Sequence, residues 1–160
     1  MIINKLNEID TIVISGGGIR GIGFLGILDK LSEYISLDNI ITYIGSSIGG
    51  IICFFLMIGY KPIDIFLFFF NIEETDINKI IEKSFNKFEE YKDISFKELN
   101  KITNKNLIIT SYNIIELQSY YYDSNSDKNV LEALKETITI QFSFTKNGYI
   151  EGCICNPFPL

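Results

Sequence analysis

Thr11-Ile-Val-Ile-Ser-Gly-Gly-Gly-Ile-Arg-Gly21 opens on a β-branched run and closes with four glycines in six residues. Threonine, isoleucine and valine in a short run suit a central strand, and the glycines suit a tight loop that feeds a helix. That helix is expected over Ile22 to Ser36, with Leu25, Leu28, Leu31 and Ile35 at three- and four-residue spacing. A second strand over Ile40 to Ile44, a turn at Gly45-Ser46-Ser47-Ile48-Gly49 and a helix over Ile48 to Gly59 repeat the order. Strand, glycine turn and helix, twice over, predict an α/β fold built on a mostly parallel central sheet.

No residue from Asn39 to Tyr60 is charged, a length that could suggest a membrane-spanning helix. The small residues Gly45, Ser46, Ser47, Gly49 and Gly50 break it into two short halves, so a buried strand followed by a buried helix is the expectation. No transmembrane segment is therefore predicted. Met1 to Asp10 lacks the apolar core of a secretory signal, which points to a cytoplasmic protein with peripheral contact to membranes.

The whole chain has 160 residues, 47% of them hydrophobic, enough for one folded domain over residues 1–160. It holds no histidine, which removes Ser-His-Asp and Cys-His nucleophiles and histidine-based zinc sites together. A net charge of -6 repels phosphate backbones, so nucleic acid is not an expected partner. Cys53, Cys153 and Cys155 form no disulfide framework and, without further soft ligands, no metal site; they read as packed thiols. Arg20 is the single arginine in a lysine-using chain, and it sits inside the first glycine loop.

Beyond Gly59 the expected elements are a helix from Pro62 through Phe70, an amphipathic helix over Thr75 to Glu90, and a capping box at Ser95 and Glu98. Strands over Leu107 to Tyr112 and Gln118 to Tyr122 follow, then a short helix from Val130 to Lys135 capped by Asn129. Asn147-Gly148 signals a hairpin between Phe142 to Thr145 and Tyr149 to Ile150. The apolar runs Ile51 to Ile58 and Ile63 to Phe70 read as core before they read as an acyl channel.

Two motifs carry chemistry. Gly16-Gly17-Gly18-Ile19-Arg20-Gly21 places several backbone N–H groups at a helix N-terminus, where they can hold a phosphate or the oxyanion of a tetrahedral intermediate. Alone it also fits the G-x-G-x-x-G of a dinucleotide site. Gly45-Ser46-Ser47-Ile48-Gly49 is G-x-S-x-G between a strand and a helix, the arrangement that presents a serine nucleophile on a sharp turn. In a chain without histidine, Ser47 needs a carboxylate or a lysine as its base.

In these motifs the chain resembles the patatin-like phospholipases, which carry a GGGx[RK]G oxyanion loop, a GxSxG elbow and a late D-G-G or D-G-A motif whose aspartate pairs with the serine. The segment Asn147-Gly-Tyr-Ile-Glu-Gly-Cys-Ile-Cys-Asn-Pro-Phe-Pro-Leu160 is similar to the family's G-x-Y-x-D-G-G-x-x-N-x-P stretch, with Glu151 at the place of the aspartate. The family's small-residue turn with proline corresponds to Thr137 to Phe144, which has no proline. The resemblance implies a three-layer α/β/α fold and a lipid acyl hydrolase of phospholipase A or lysophospholipase type. It implies Ser47 and Glu151 as the catalytic dyad, Gly16, Gly17, Gly18, Ile19, Arg20 and Gly21 as the oxyanion loop, and Gly45 and Gly49 as the glycines of the elbow. The expected partner is a lipid ester at a membrane or micelle interface, with neither cofactor nor metal. The substitution of Glu151 leaves a second expectation: a catalytically impaired relative that binds lipid or a protein partner.

Overall fold

The computed structural model describes residues 8–71, 77–87, 89–138 and 149–150. Five strands form one sheet: β1 (Thr11–Ile14), β2 (Thr42–Gly45), β3 (Asn106–Asn113), β4 (Gln118–Tyr122) and β5 (Tyr149–Ile150). Among the described residues six α-helices accompany them: α1 (Ile22–Leu31), α2 (Ile48–Met57), α3 (Pro62–Phe70), α4 (Ile77–Lys87), α5 (Phe96–Thr103) and α6 (Val130–Thr137). β1, β2 and β3 are parallel, with Ile14 opposite Gly45 and Gly45 opposite Ile109. β4 and β5 are antiparallel to β3. This is the α/β sheet flanked by helices that the sequence predicts.

The uncharged stretch divides where its glycines and serines lie, into β2 and α2. All ten residues of α2 are buried, as a helix that is apolar all round must be. It lies on the sheet face that carries Ile12, Ile14, Tyr43, Leu107 and Ile109, each at most 8% exposed. The opposite face, with Val13, Ile44 and Ile108, is half-buried. No helix among the described residues is long and apolar enough to cross a membrane.

The edges of β3 decide what surrounds the site. β2 pairs with residues 106–109, while β4 pairs with residues 109–113 and so takes the other edge. β5 pairs with Tyr112 and Asn113, where β4 already holds its edge. A strand has only two hydrogen-bonding edges, so β5 continues the line of β2 beyond the end of β2. Because β5 runs antiparallel to β3, the chain at Ile150 heads back toward Gly45. The partner of Gly45 and the partner of Ile150 lie three positions apart on β3, a span of about 10 Å.

Some element ends differ from expectation. α1 stops at Leu31 rather than continuing to Ser36, because the Ser32 hydroxyl donates to the Asp29 carbonyl at 2.6 Å and the chain turns. The turn sends Ile35 into the core at 5% exposure. β2 starts at Thr42 rather than Ile40, after a 3-10 turn over Leu37–Asn39. α2 ends at Met57, and Gly59 takes a positive φ of 94° just past it. α6 runs two residues further than expected, to Thr137. α4 spans Ile77–Lys87; the rest of its expected range is a 3-10 turn at Glu89–Tyr91 or lies outside the described residues. Of the expected hairpin only Tyr149–Ile150 is described, as a strand.

The capping box is present in full. The Ser95 hydroxyl accepts the Glu98 N–H at 3.2 Å, and the Glu98 carboxylate accepts the Ser95 N–H at 2.9 Å and its hydroxyl at 2.8 Å. These bonds hold the Glu98 carboxyl below its usual range, the backbone bond first and the hydroxyl second. Ser95→Ala is expected to lower the melting temperature by about 2 to 4 °C at neutral pH. The folded-state pKa of Glu98 is depressed, so its contribution is present above the ordinary carboxylate range and disappears as pH falls through the folded value. Thermal melts of the two proteins should therefore draw closer in acid, with the difference due to the bond from the Glu98 N–H to the Ser95 hydroxyl remaining.

Candidate active site

Ser47 caps the N-terminus of α2 with φ 54° and ψ −132°. Few non-glycine residues adopt such angles, and holding one costs about 1 to 3 kcal/mol. Among the described residues, four hydrogen bonds fix the turn. Ser46 N–H donates to the Ile14 carbonyl at 3.2 Å, Gly49 N–H to Ser46 at 3.0 Å and Gly50 N–H to Ser47 at 2.9 Å. The fourth runs from the Ser47 N–H to the Thr137 hydroxyl oxygen, at 2.9 Å. Ser47 is 5% exposed and Thr137 fully buried.

The elbow fits only because its flanking residues lack side chains. A Cβ on Gly45 would stand 2.5 Å from the Gly50 backbone, and one on Gly49 would overlap the carbonyl oxygens of Ile14 and Ser15. β1 and the first turn of α2 thus touch backbone to backbone. The positive end of the α2 dipole lies at Ser47, the residue that caps the helix.

The glycine loop lies against the same helix end. Gly16 and Gly17 lead from β1 into a 3-10 turn over Gly18–Gly21, closed by the Arg20 N–H donating to the Gly17 carbonyl at 3.1 Å. Gly18 has φ 52°, the left-handed conformation that glycine adopts without cost. Gly21 is buried against Ile48, the residue after Ser47; a Cβ there would overlap the Ile48 side chain. The N–H groups of Gly17, Gly18 and Ile19 precede the first bond of the turn, and such groups lack intrahelical partners. Gly17, Gly18 and Arg20 are exposed. The structure thus brings the first motif and the elbow together through the Gly21–Ile48 contact.

Glu151, Cys153 and Cys155 lie outside the described residues. Cys53 is buried on α2; its thiol donates to the Ile44 carbonyl at 3.4 Å, and burial pushes its pKa far up. It is a packed, unreactive thiol. Among the described residues, the hydroxyls of Ser46, Thr110 and Ser111 are buried without a hydrogen-bond partner. Thr110 and Ser111 follow Ile109, the partner of Gly45, and as successive strand residues they face opposite sides of the sheet. Sequence reasoning missed Thr137 as a partner of Ser47, because nothing in its neighbourhood signals a bond to a residue 90 positions away.

Comparison with known proteins agrees with this geometry. The family described as "Patatin-like phospholipase" matches residues 12–160. A protein of Invertebrate iridescent virus 6 named "Probable lipid hydrolase 463L" is 33% identical over 94% of the chain and 61% of its own length. "Uncharacterized protein R571" of Acanthamoeba polyphaga mimivirus is 35% identical over 49% of the chain and 26% of its own length. The chain thus spans about three-fifths of the first relative and about a quarter of the second. A match that covers nearly the whole chain, containing the glycine loop and the serine elbow in their expected places, shows that the chain belongs to the patatin-like phospholipase family.

Proposed function

We propose that the chain hydrolyses lipid acyl esters, as a phospholipase A or lysophospholipase, with Ser47 as nucleophile and Glu151 as its base. The observation that carries this reading is the strained backbone of Ser47 at the head of α2, between the close-packed glycines Gly45 and Gly49. Strain of that kind persists where surrounding structure enforces it, and it aims the hydroxyl off the end of the sheet.

The chemistry follows from the groups available. Ser47 Oγ attacks the ester carbonyl carbon while Glu151 takes the hydroxyl proton. The N–H groups of Gly17, Gly18 and Ile19 stabilise the oxyanion. Collapse of the intermediate expels the alcohol, which receives the proton from Glu151. Water, deprotonated by Glu151, then attacks the acyl-enzyme; the fatty acid leaves and the proton returns to Ser47. Arg20, exposed on the loop, meets a substrate phosphate through its planar fork.

Glu151 is supported as the base by the direction of β5. The strand ends at Ile150, opposite Tyr112, heading toward the elbow. A lipid substrate is supported by a mostly apolar groove of about 380 Å³ between α1 and α3, lined by Ile22, Leu25, Pro62, Ile63 and Phe66, with Asp29 also on its wall. It begins at Ile22, the residue after the glycine loop.

Incubation of the purified chain with a fluorophosphonate should label Ser47, and fatty acid should be released from phosphatidylcholine vesicles. Ser47→Ala should abolish labelling and reduce hydrolysis by at least about a thousandfold. Wild-type rates no higher than those of Ser47→Ala would overturn the hydrolase and favour the lipid- or partner-binding relative.

A further inference from the structure

We propose that Thr137 is a positioning residue for the nucleophile, holding the Ser47 backbone in its strained conformation through the bond from the Ser47 N–H to the Thr137 hydroxyl. The inference rests on reading Ser47 as the nucleophile. Of the four bonds that fix the elbow, the other three are backbone to backbone. Among the described residues, the amide of Ser47 is the one elbow group held by a side chain, and this restraint is open to substitution.

Thr137 is suited to the task by its placement. It is the last residue of α6 and fully buried. α6 is anchored by Ala133 and Leu134, both also fully buried, so the hydroxyl is delivered from a fixed element. Its methyl carbon lies 3.6 Å from where a Cβ on Gly50 would sit, which seats the same side chain against the first turn of α2. Both ends of the forked side chain therefore meet the helix that Ser47 caps. Without the hydroxyl, a buried N–H would be left unpaired, and the peptide before Ser47 would rotate to find another acceptor. That rotation turns the Cα–Cβ bond of Ser47 and moves Oγ away from the oxyanion loop.

The test compares wild type, Thr137→Val, which keeps the shape without the acceptor, and Thr137→Ser, which keeps the acceptor. With a soluble short-chain ester, Thr137→Val should lose about 10- to 100-fold in kcat and in the rate of fluorophosphonate labelling, with KM nearly unchanged. Thr137→Ser should restore both to near the wild-type value. Hydrogen exchange should show the Ser47 amide protected in wild type and in Thr137→Ser, and unprotected in Thr137→Val. A residue with a merely structural role would change the melting temperature and leave kcat per folded molecule unchanged. Labelling of Thr137→Val at the wild-type rate would overturn the proposal, as would a wild-type Ser47 amide that exchanges like a solvent-exposed one. If Thr137→Val does not fold, the wild-type amide decides alone. A wild-type chain that is never labelled at Ser47 would instead overturn the nucleophile assignment, with the amide still reporting on the bond.

Discussion

Gly49→Ala is expected to give a chain that does not reach the native state. The added methyl would overlap the carbonyl oxygens of Ile14 and Ser15. Neither is a flexible side-chain end that can swing aside. The Ile14 carbonyl already accepts the Ser46 N–H, so moving it breaks a bond of the elbow itself. On the other side, α2 is buried at every position and packs on all three parallel strands, so it cannot retreat as a body without opening the core. Overpacking that a side chain can absorb costs about 1 to 3 kcal/mol; here backbone must separate from backbone, and the cost should exceed that range. Set against a total stability of about 5 to 15 kcal/mol, it leaves little or no folded protein. Circular dichroism and denaturant titration would check it. A cooperative transition with a wild-type midpoint would show that β1 and α2 are not in the contact described. Gly26→Ala is the matched control, since a Cβ there meets nothing within 4 Å. It should be neutral or slightly stabilising, as alanine is favoured over glycine inside a helix.

Features encoded within a few residues were legible in the sequence. The glycine loop, the split of the uncharged stretch into β2 and α2, the capping box at Ser95 and Glu98, and the Asn129 cap of α6 all depend on neighbours close in the chain. β4 was read to the residue because the aromatic run at Tyr120–Tyr122 ends in the polar loop that follows. Features that depend on distant packing were not. α1 was read too long because the apolar spacing continues to Ile35, while the Ser32 hydroxyl ends the helix four residues earlier. The run Ile63 to Phe70 was expected to be core, yet Ile63, Leu67 and Phe70 are exposed at 48, 46 and 74%. Composition shows that residues are apolar, not which of them the rest of the chain covers. In the site, a motif of five residues specified the elbow, but its clamp comes from Thr137, brought there only by the packing of α6 against β3. The continuation of β2 by β5, on which the case for Glu151 rests, is likewise a property of sheet edges.

Glu151→Gln should reduce turnover by about 10²- to 10⁴-fold, the usual loss when a general base is removed. The amide has nearly the shape of the carboxylate, so the substitution leaves packing and reach in place and withdraws only the capacity to take a proton. No histidine exists in the chain to replace it. A carboxylate is intrinsically a weak base for a serine hydroxyl. On the proposed mechanism, transfer of the proton therefore accompanies formation of the carbon–oxygen bond, and the glycine loop supplies much of the stabilisation. Glu151→Asp separates basicity from reach. It keeps the acid and withdraws its oxygens by about 1 to 1.5 Å, a displacement that can be worth about a hundredfold in rate. If the longer side chain makes the natural site less than optimal, Glu151→Asp should match or exceed wild type in steady-state hydrolysis. Loss of activity in Glu151→Asp together with loss in Glu151→Gln would mean that the backbone after Ile150 is set back to suit the glutamate. Full activity in Glu151→Gln would remove Glu151 from the mechanism and require a lysine in its place.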